Sequence, residues 1–190
     1  HRICRFVRNV MGLQELGHRV TFACRERPAA AAAVEESTPD KARLAGLTVV
    51  TDFALDRYMG LRHTVHDLWA LPRFLKRRQI EVLHCHLSHD QALGALCARL
   101  CGRQRPLIVK TLHRRYVAAR SLGSRFSLTG PLRADGLFVF TPAFRTEYIA
   151  RFGLPPERVA LQPMTVDLER FRPDRPYRSM RPVFDLPADA

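Results

Sequence analysis

The sequence predicts an α/β protein built on a doubly wound parallel sheet with helices on both faces. Short runs rich in β-branched and aromatic residues alternate with longer segments whose apolar residues recur at helical spacing. Glycine, proline and helix-start signals punctuate the junctions between them. Such alternation favours right-handed crossover connections, and those connections make the strands of one sheet parallel.

The first half of the chain opens with a predicted amphipathic helix at residues 2–16. Its apolar residues recur at helical spacing: Ile3, Phe6, Val7, Val10 and Leu13. A strand is predicted at 19–24 and a second at 47–51, because both runs are short and β-branched. Between them, residues 28–45 are rich in alanine and interrupted by Pro39, which predicts a loop with a weak helix.

In the second half, strands and helices alternate regularly. Four strands are predicted, at 81–86, 107–111, 136–140 and 159–162. Three helices are predicted, at 63–78, 90–101 and 142–152. Pro72 is expected to kink the first of these helices. Thr141 and Pro142 mark the start of the last one, since threonine caps a helix and proline fits its first position.

The composition bounds the class of protein. The chain has 190 residues, about one to one and a half domains at ~150 residues each. No apolar run approaches the ~18 residues of a membrane span, and no signal-peptide pattern occurs. The formal net charge is +13, and 28 of the 31 Lys and Arg residues are arginine. This charge fits a surface that attracts phosphate, anionic lipid or nucleic acid, and equally an arginine-rich composition balanced by acid elsewhere.

Several classes of protein find no support in the sequence. The cysteines, at positions 4, 24, 85, 97 and 101, are odd in number and form no Cys-x-x-Cys. A disulfide framework or structural zinc site is therefore not expected, and free thiols in a reducing cytoplasm fit best. The sequence also lacks a Gly-x-Gly-x-x-Gly fingerprint, a P-loop and a Gly-x-Ser-x-Gly elbow.

Two histidines of one predicted strand, His84 and His86, share a face because side chains alternate along a strand. Such a pair can hold a metal, with His89, Asp90 and His113 as candidates to complete the site. A barrel-type metal hydrolase is one interpretation, although a complete barrel takes ~250 residues and at least two strands precede this pair. The other interpretation has no metal, with His84 buried in the sheet and His86 near its rim.

A second polar group follows the strand predicted at 107–111. His113 comes just past the end of that strand, and Arg114 and Arg115 follow it at once. His86 and Thr141 also stand at strand ends, and ligands of doubly wound sheets bind beyond the carboxyl ends of the strands. Histidine can bond a hydroxyl and arginine grips phosphate, so this edge is a candidate site for a hydroxylated or phosphorylated ligand. The alternative is a solvated loop.

Four segments, in this order, resemble the N-terminal half of GT-B glycosyltransferases of the family-4 type. They are Glu15-Leu-Gly-His-Arg-Val-Thr-Phe22, similar to LxxxGHxV; Glu81-Val-Leu-His-Cys-His86, similar to DVVHxH; Ile108-Val-Lys-Thr-Leu-His113, similar to VxTxH; and the stretch from Ala134 through Gly153-Leu-Pro-Pro-Glu-Arg-Val159 to Val166-Asp-Leu-Glu-Arg-Phe-Arg-Pro173. The resemblance spans residues 13–173. It departs from the family where Pro163-Met-Thr-Val-Asp167 replaces Pro-Asn-Gly-Val-Asp and where Thr141 replaces serine.

The resemblance implies one half of a GT-B fold, Rossmann-like, and a retaining transfer of a hexose from a nucleotide-sugar to an acceptor. The setting it implies is cell-envelope glycan or glycolipid synthesis, such as that of lipopolysaccharide. His113 is then the candidate catalytic residue, through positioning of the acceptor. His86, Arg114, Arg115 and Thr141 are the candidates for acceptor binding. No metal and no cofactor are expected.

The resemblance also implies a domain organisation. Residues 1–173 correspond to the acceptor-side domain with its first strand missing, and residues 174–190 to a linker that leads to an absent C-terminal donor domain. Asp167 falls at the hinge. Because the absent domain would hold most of the nucleotide-sugar, we expect this chain to be inactive alone.

The expected partners are a nucleotide-sugar and a glycan or glycolipid acceptor, without nucleic acid. The expected location is the cytoplasm, with peripheral contact at the inner face of an anionic membrane through one basic helix end. That end carries Arg73, Lys76, Arg77 and Arg78. Two other classes stay open: a metal-dependent hydrolase that uses His84 and His86, and a non-catalytic anion-binding module.

Overall fold

The computed structural model of the chain describes residues 5–25, 38–56, 58, 60–113, 127–163, 172 and 174. Its strands are β1 (Thr21–Ala23), β2 (Thr48–Val50), β3 (Val82–Cys85), β4 (Leu107–Thr111), β5 (Gly136–Val139) and β6 (Val159–Leu161). Its helices are α1 (Arg5–Glu15), α2 (Thr38–Leu44), α3 (Leu61–Arg77), α4 (Ser88–Leu100) and α5 (Pro142–Phe152). Single 3₁₀ turns lie at Gly102–Gln104 and Pro156–Arg158.

The order of helices and strands is the one that the sequence predicts. The predicted mixed α/β architecture with parallel sheets flanked by helices is confirmed. Two prolines lie within helices. Pro39 lies in the first turn of α2 rather than interrupting a helix, since a first-turn residue needs no N–H donor. Pro72 lies inside α3, which continues to Arg77, and the kink expected at Pro72 stays a prediction.

All strand pairs of the described residues are parallel, in two groups. β1 pairs with β2, and the other four strands form a sheet in the order β3-β4-β5-β6. The register aligns Cys85 with Lys110 and Thr111 with Phe138. The carboxyl ends of β3, β4 and β5 therefore meet at one edge.

The four-stranded sheet is held against α4 and α5 by a continuous apolar core. Ile108, Val139, Tyr148 and Val159 are each at most 1% exposed in this core. Gly94 of α4 permits the close approach of helix to sheet, because a Cβ there would lie 2.8 Å from Leu83 Cδ2. A second cluster joins α3 to α4 through Phe53, Phe74 and Cys97, among others. A third joins α1 and α2 to β1 and β2.

The start of α5 has the geometry that its sequence predicts. Thr141 is the N-cap, and its Oγ1 accepts the N–H of Phe144 at 3.2 Å. Pro142 takes the first helical position. At the other end Gly153 adopts φ 61°, the left-handed conformation that closes a helix at little cost for glycine.

The loop after β2 is attached to α3 by one carboxylate. Asp67 is 1% exposed and accepts the N–H groups of Ala54 and Leu55 at 2.8 and 2.9 Å. Leu55 has φ 40°, an unfavourable value for a residue with a side chain, so these bonds hold a strained turn.

We expect Asp67→Ala to destabilise the fold by about 2–4 kcal/mol, because it leaves two backbone donors without their acceptor. Urea unfolding would measure the change. Asp40→Ala is the matched control, since Asp40 is exposed and its ion pair with Arg43 contributes about 0.5 kcal/mol or less. Equal losses in the two variants would contradict this role of Asp67.

None of the described helices combines the length and hydropathy that crossing a membrane requires.

Candidate functional site

Two rows of side chains cover one face of the sheet at its carboxyl edge. The row over the strands consists of His84, Thr111 and Phe138. The row just past the strand ends consists of His86, His113 and Phe140. The alternation along each strand puts both rows on the same face. A ring contact links the rows, because the His84 and His86 centroids are 4.4 Å apart, and within the outer row the centroids of His113 and Phe140 are 5.5 Å apart.

Hydrogen bonds connect β3 to β4 within each row. Nε2 of His84 lies 2.7 Å from Thr111 Oγ1, and Nδ1 of His86 lies 3.2 Å from His113 Nε2. Two imidazoles can share such a bond only if one ring donates an N–H and the other accepts it. The tautomers of His86 and His113 are therefore coupled.

The surroundings keep His84 and His86 uncharged. Burial lowers the pKa of His84, and a charge on nearby His113 would lower it further. Burial, together with His84 and His113, lowers the pKa of His86 to about 3. At neutral pH His86 is thus a neutral ring that either donates to His113 or accepts from it.

The opposite face of the same strands holds a second polar cluster, under the N-terminus of α4. Lys110 is 2% exposed, and its Nζ donates to Ser88 Oγ at 3.3 Å. Burial lowers the pKa of Lys110, while Cys85 and Asp90 act in the other direction. Burial raises the pKa of the Cys85 thiol to about 12, so this cysteine is no thiolate nucleophile at neutral pH.

Asp90 fixes the turn that carries His86 into α4. Its Oδ2 accepts the N–H of Leu87 at 3.2 Å, and its Oδ1 lies 3.0 Å from His89 Nε2. The Cys85 thiol donates to the Asp90 carbonyl at 3.6 Å. This cluster lies behind the histidine face and positions the strand end.

Three residues predicted at the site lie at one sheet edge. His86 and His113 are in hydrogen-bond contact, and Thr141 directly follows Phe140, whose ring packs on His113. Arg114, Arg115 and Asp167 lie outside the described residues. The expectation that His84 is buried is wrong, since its ring is partly exposed on the face opposite α4.

Sequence reasoning missed three members of this surface. Thr111 pairs with His84, and the rings of Phe138 and Phe140 flank the histidines. The alternation of side chains along a strand could have identified Thr111, because Thr111 stands two residues before His113 and therefore lies on the same face as His113. The phenylalanines could have been found in the same way, because they alternate along β5.

The histidine face can offer neutral hydrogen-bond donors and acceptors next to aromatic rings. That combination suits a hydroxylated ligand such as a sugar, which presents hydroxyl groups and apolar ring faces. Among the described residues, no three His, Cys, Asp or Glu side chains form a group that could hold a metal ion.

The fold and this edge define a Rossmann-like α/β domain with a candidate ligand site at the carboxyl ends of its strands. The family model of Glycosyltransferase Family 4 matches residues 6–170, and the chain belongs to that family. No curated protein sequence matches the chain.

A solved structure supports the same fold. A crystal structure of a glycosyltransferase from Rickettsia africae ESF-5 is similar, with a TM-score of 0.68 and 9% sequence identity over 97% of this chain. At this identity the likeness concerns the fold. The chain spans 46% of the length of that neighbour.

Proposed function

We propose that the chain forms the acceptor-side domain of a retaining glycosyltransferase. The enzyme would transfer a hexose from a nucleotide-sugar to a glycan or glycolipid of the cell envelope, such as a lipopolysaccharide precursor. The nucleotide-sugar is the donor substrate, and no further cofactor takes part.

The observation that carries this proposal is the hydrogen-bonded pair of His86 and His113 at the carboxyl edge of the sheet. Ligands of doubly wound sheets bind at this edge, and a neutral imidazole can orient a hydroxyl. In this scheme His113 positions the acceptor hydroxyl for attack on the sugar. His86 binds the acceptor too and holds the His113 ring through the shared bond.

The remaining proposed site residues supply charge and polar contacts. Arg114 and Arg115 follow His113 and would offset the phosphate charge of the departing nucleotide. The hydroxyl of Thr141 accepts a backbone N–H and keeps its own proton to donate to an acceptor. Asp167 would act at the hinge between the domains.

We propose that a donor-binding domain follows residues 174–190, which would be the linker. In the doubly wound strand order 3-2-1-4-5-6, the first strand lies between the second and the fourth. A strand ahead of residue 1 would fit between β1, which belongs to the two-stranded sheet, and β3, which belongs to the four-stranded sheet. The enzyme would work in the cytoplasm, peripherally at the inner face of the membrane.

The 190-residue chain alone is expected to transfer no sugar, because most donor contacts would come from the other domain. The test incubates the purified chain with labelled nucleotide-sugars and glycan or glycolipid acceptors, beside the longer two-domain protein as control. Sugar transfer by the two-domain protein, and not by the single chain, supports the proposal. Turnover by the single chain would contradict the domain assignment, and no transfer by either protein would contradict the function.

A further inference from the structure

The outer face of α3 carries an exposed apolar ridge. Leu61, Val65 and Trp69 are spaced four residues apart, so they lie in line along the helix, and they are 81%, 57% and 61% exposed. The opposite face of α3 is buried, with Leu71, Phe74 and Leu75 in the core that joins α3 to α4. The ridge is therefore additional to the apolar surface that the fold uses.

Positive charge surrounds the ridge. Arg62, Arg73, Lys76 and Arg77 are all exposed on α3, and Arg78 follows the helix. The single acid of α3, Asp67, is 1% exposed and bonded to the loop after β2. Asp56, near the start of α3, is engaged with His63 Nδ1 at 2.9 Å. No carboxylate of α3 thus offsets the charge on its outer face.

Trp69 and Arg73 combine these two properties. The guanidinium of Arg73 lies 4.2 Å from the centroid of the Trp69 ring, and its Nη1 donates to the Trp69 carbonyl at 2.6 Å. The ring thus presents apolar surface while a cation is held against it. Amphipathic tryptophan beside arginine is typical of protein segments that sit at the headgroup level of a bilayer.

We propose that the outer face of α3 docks the protein on an anionic membrane surface. Apolar side chains would enter the headgroup region while the flanking cations meet lipid phosphates. A protein partner would have to place acidic side chains opposite at least four cations of α3. Nucleic acid could bind the cations but offers no apolar surface for Leu61 and Val65. The inference deepens the proposed function, since it names the contact that would bring a lipid-linked acceptor to the enzyme.

The chain contains a single tryptophan, so its fluorescence reports on Trp69 alone. The 190-residue chain would be mixed with vesicles of equal parts phosphatidylglycerol and phosphatidylcholine at low salt. We expect emission to move to shorter wavelength and to be quenched by brominated lipid. Pure phosphatidylcholine vesicles should give little change, and added salt should reverse the binding.

Matched variants separate the local face from the overall charge. Arg62→Gln with Lys76→Gln removes two charges beside the ridge and should weaken vesicle binding about fivefold for each charge. Arg103→Gln with Arg158→Gln removes two exposed charges elsewhere and should have a much smaller effect. Val65→Ser with Trp69→Ser, followed by co-sedimentation, tests the apolar part, and circular dichroism checks that each variant folds.

Other occupants of the face give different results. Equal weakening by both charge pairs would overturn the assignment to α3, as would failure of Trp69 to respond to anionic vesicles. Displacement from vesicles by an oligonucleotide that binds more tightly at the same salt would instead indicate nucleic acid. A dimer that shields Trp69 without lipid would indicate a second copy. None of these readouts needs sugar transfer, so they can fail while the proposed enzymatic function stands.

Discussion

Replacing His113 by alanine in the proposed two-domain enzyme is expected to lower kcat/KM about 100-fold, with little change in melting temperature. The reason is geometric. His113 stands at the carboxyl edge of the sheet, where its Nε2 shares a hydrogen bond with His86 and its ring packs on Phe140. Removing a group that orients the acceptor affects the transition state, whereas a ring at the rim contributes little to the core.

Two further variants give this experiment its controls. His113→Gln can still bond His86 and should recover part of the lost activity. His18→Ala removes an exposed histidine away from the sheet edge and should leave kcat/KM unchanged. If His113→Ala lowers the melting temperature but spares kcat/KM, His113 only supports local structure and has no place in the site.

The regular elements could be predicted because each carries its own local signal. Thr141 and Pro142 start α5 by chemistry that acts within a few residues, and the structure has this helix start as predicted. The ends of strands were less predictable. The strand expected at 81–86 extends over Val82–Cys85, because pairing with β4 decides where a strand ends and pairing is not encoded locally.

The place where the candidate site residues meet was predictable, but the full set of side chains there was not. His86 and His113 stand at strand ends in the sequence, and parallel pairing of β3 with β4 brings them together. The partial exposure of His84 and the burial of Lys110 depend on which face α4 covers. For strands this short, hydrophobic periodicity does not predict which face of the sheet a helix covers. The cluster of Lys110, Ser88 and Asp90 was therefore seen only in the fold.

Folding should become less favourable as the pH falls below about 6.5, because the site holds histidines in the neutral form. The pKa of His86 falls from its ordinary value of 6.5 to about 3, and that of His84 is also lowered. Between pH 6.5 and 3 the unfolded chain binds a proton at His86 that the folded chain does not bind, so unfolding takes up protons, and the lowered pKa of His84 acts in the same direction. The contribution of these neutral histidines to folding stability is fully present above about pH 6.5 and is lost as the pH falls toward 3. Asp90, whose pKa burial raises, acts in the opposite direction nearer its own range.

His86→Gln should flatten this pH dependence, because glutamine can still bond His113 but does not titrate. Each unit of pKa shift corresponds to about 1.4 kcal/mol, and solvent at the partly exposed ring reduces the effect to about 1–2 kcal/mol overall. Urea unfolding at several pH values between 6.5 and 4, in parent and variant, measures the difference directly. His18→Gln removes an exposed histidine away from the sheet edge and is the matched control, because it changes the charge of a chain of net charge +13 without touching the site. A His86→Gln slope equal to that of the parent would mean that His86 titrates alike in the folded and unfolded states, and the neutral state of His86 in the folded protein would then have to be abandoned.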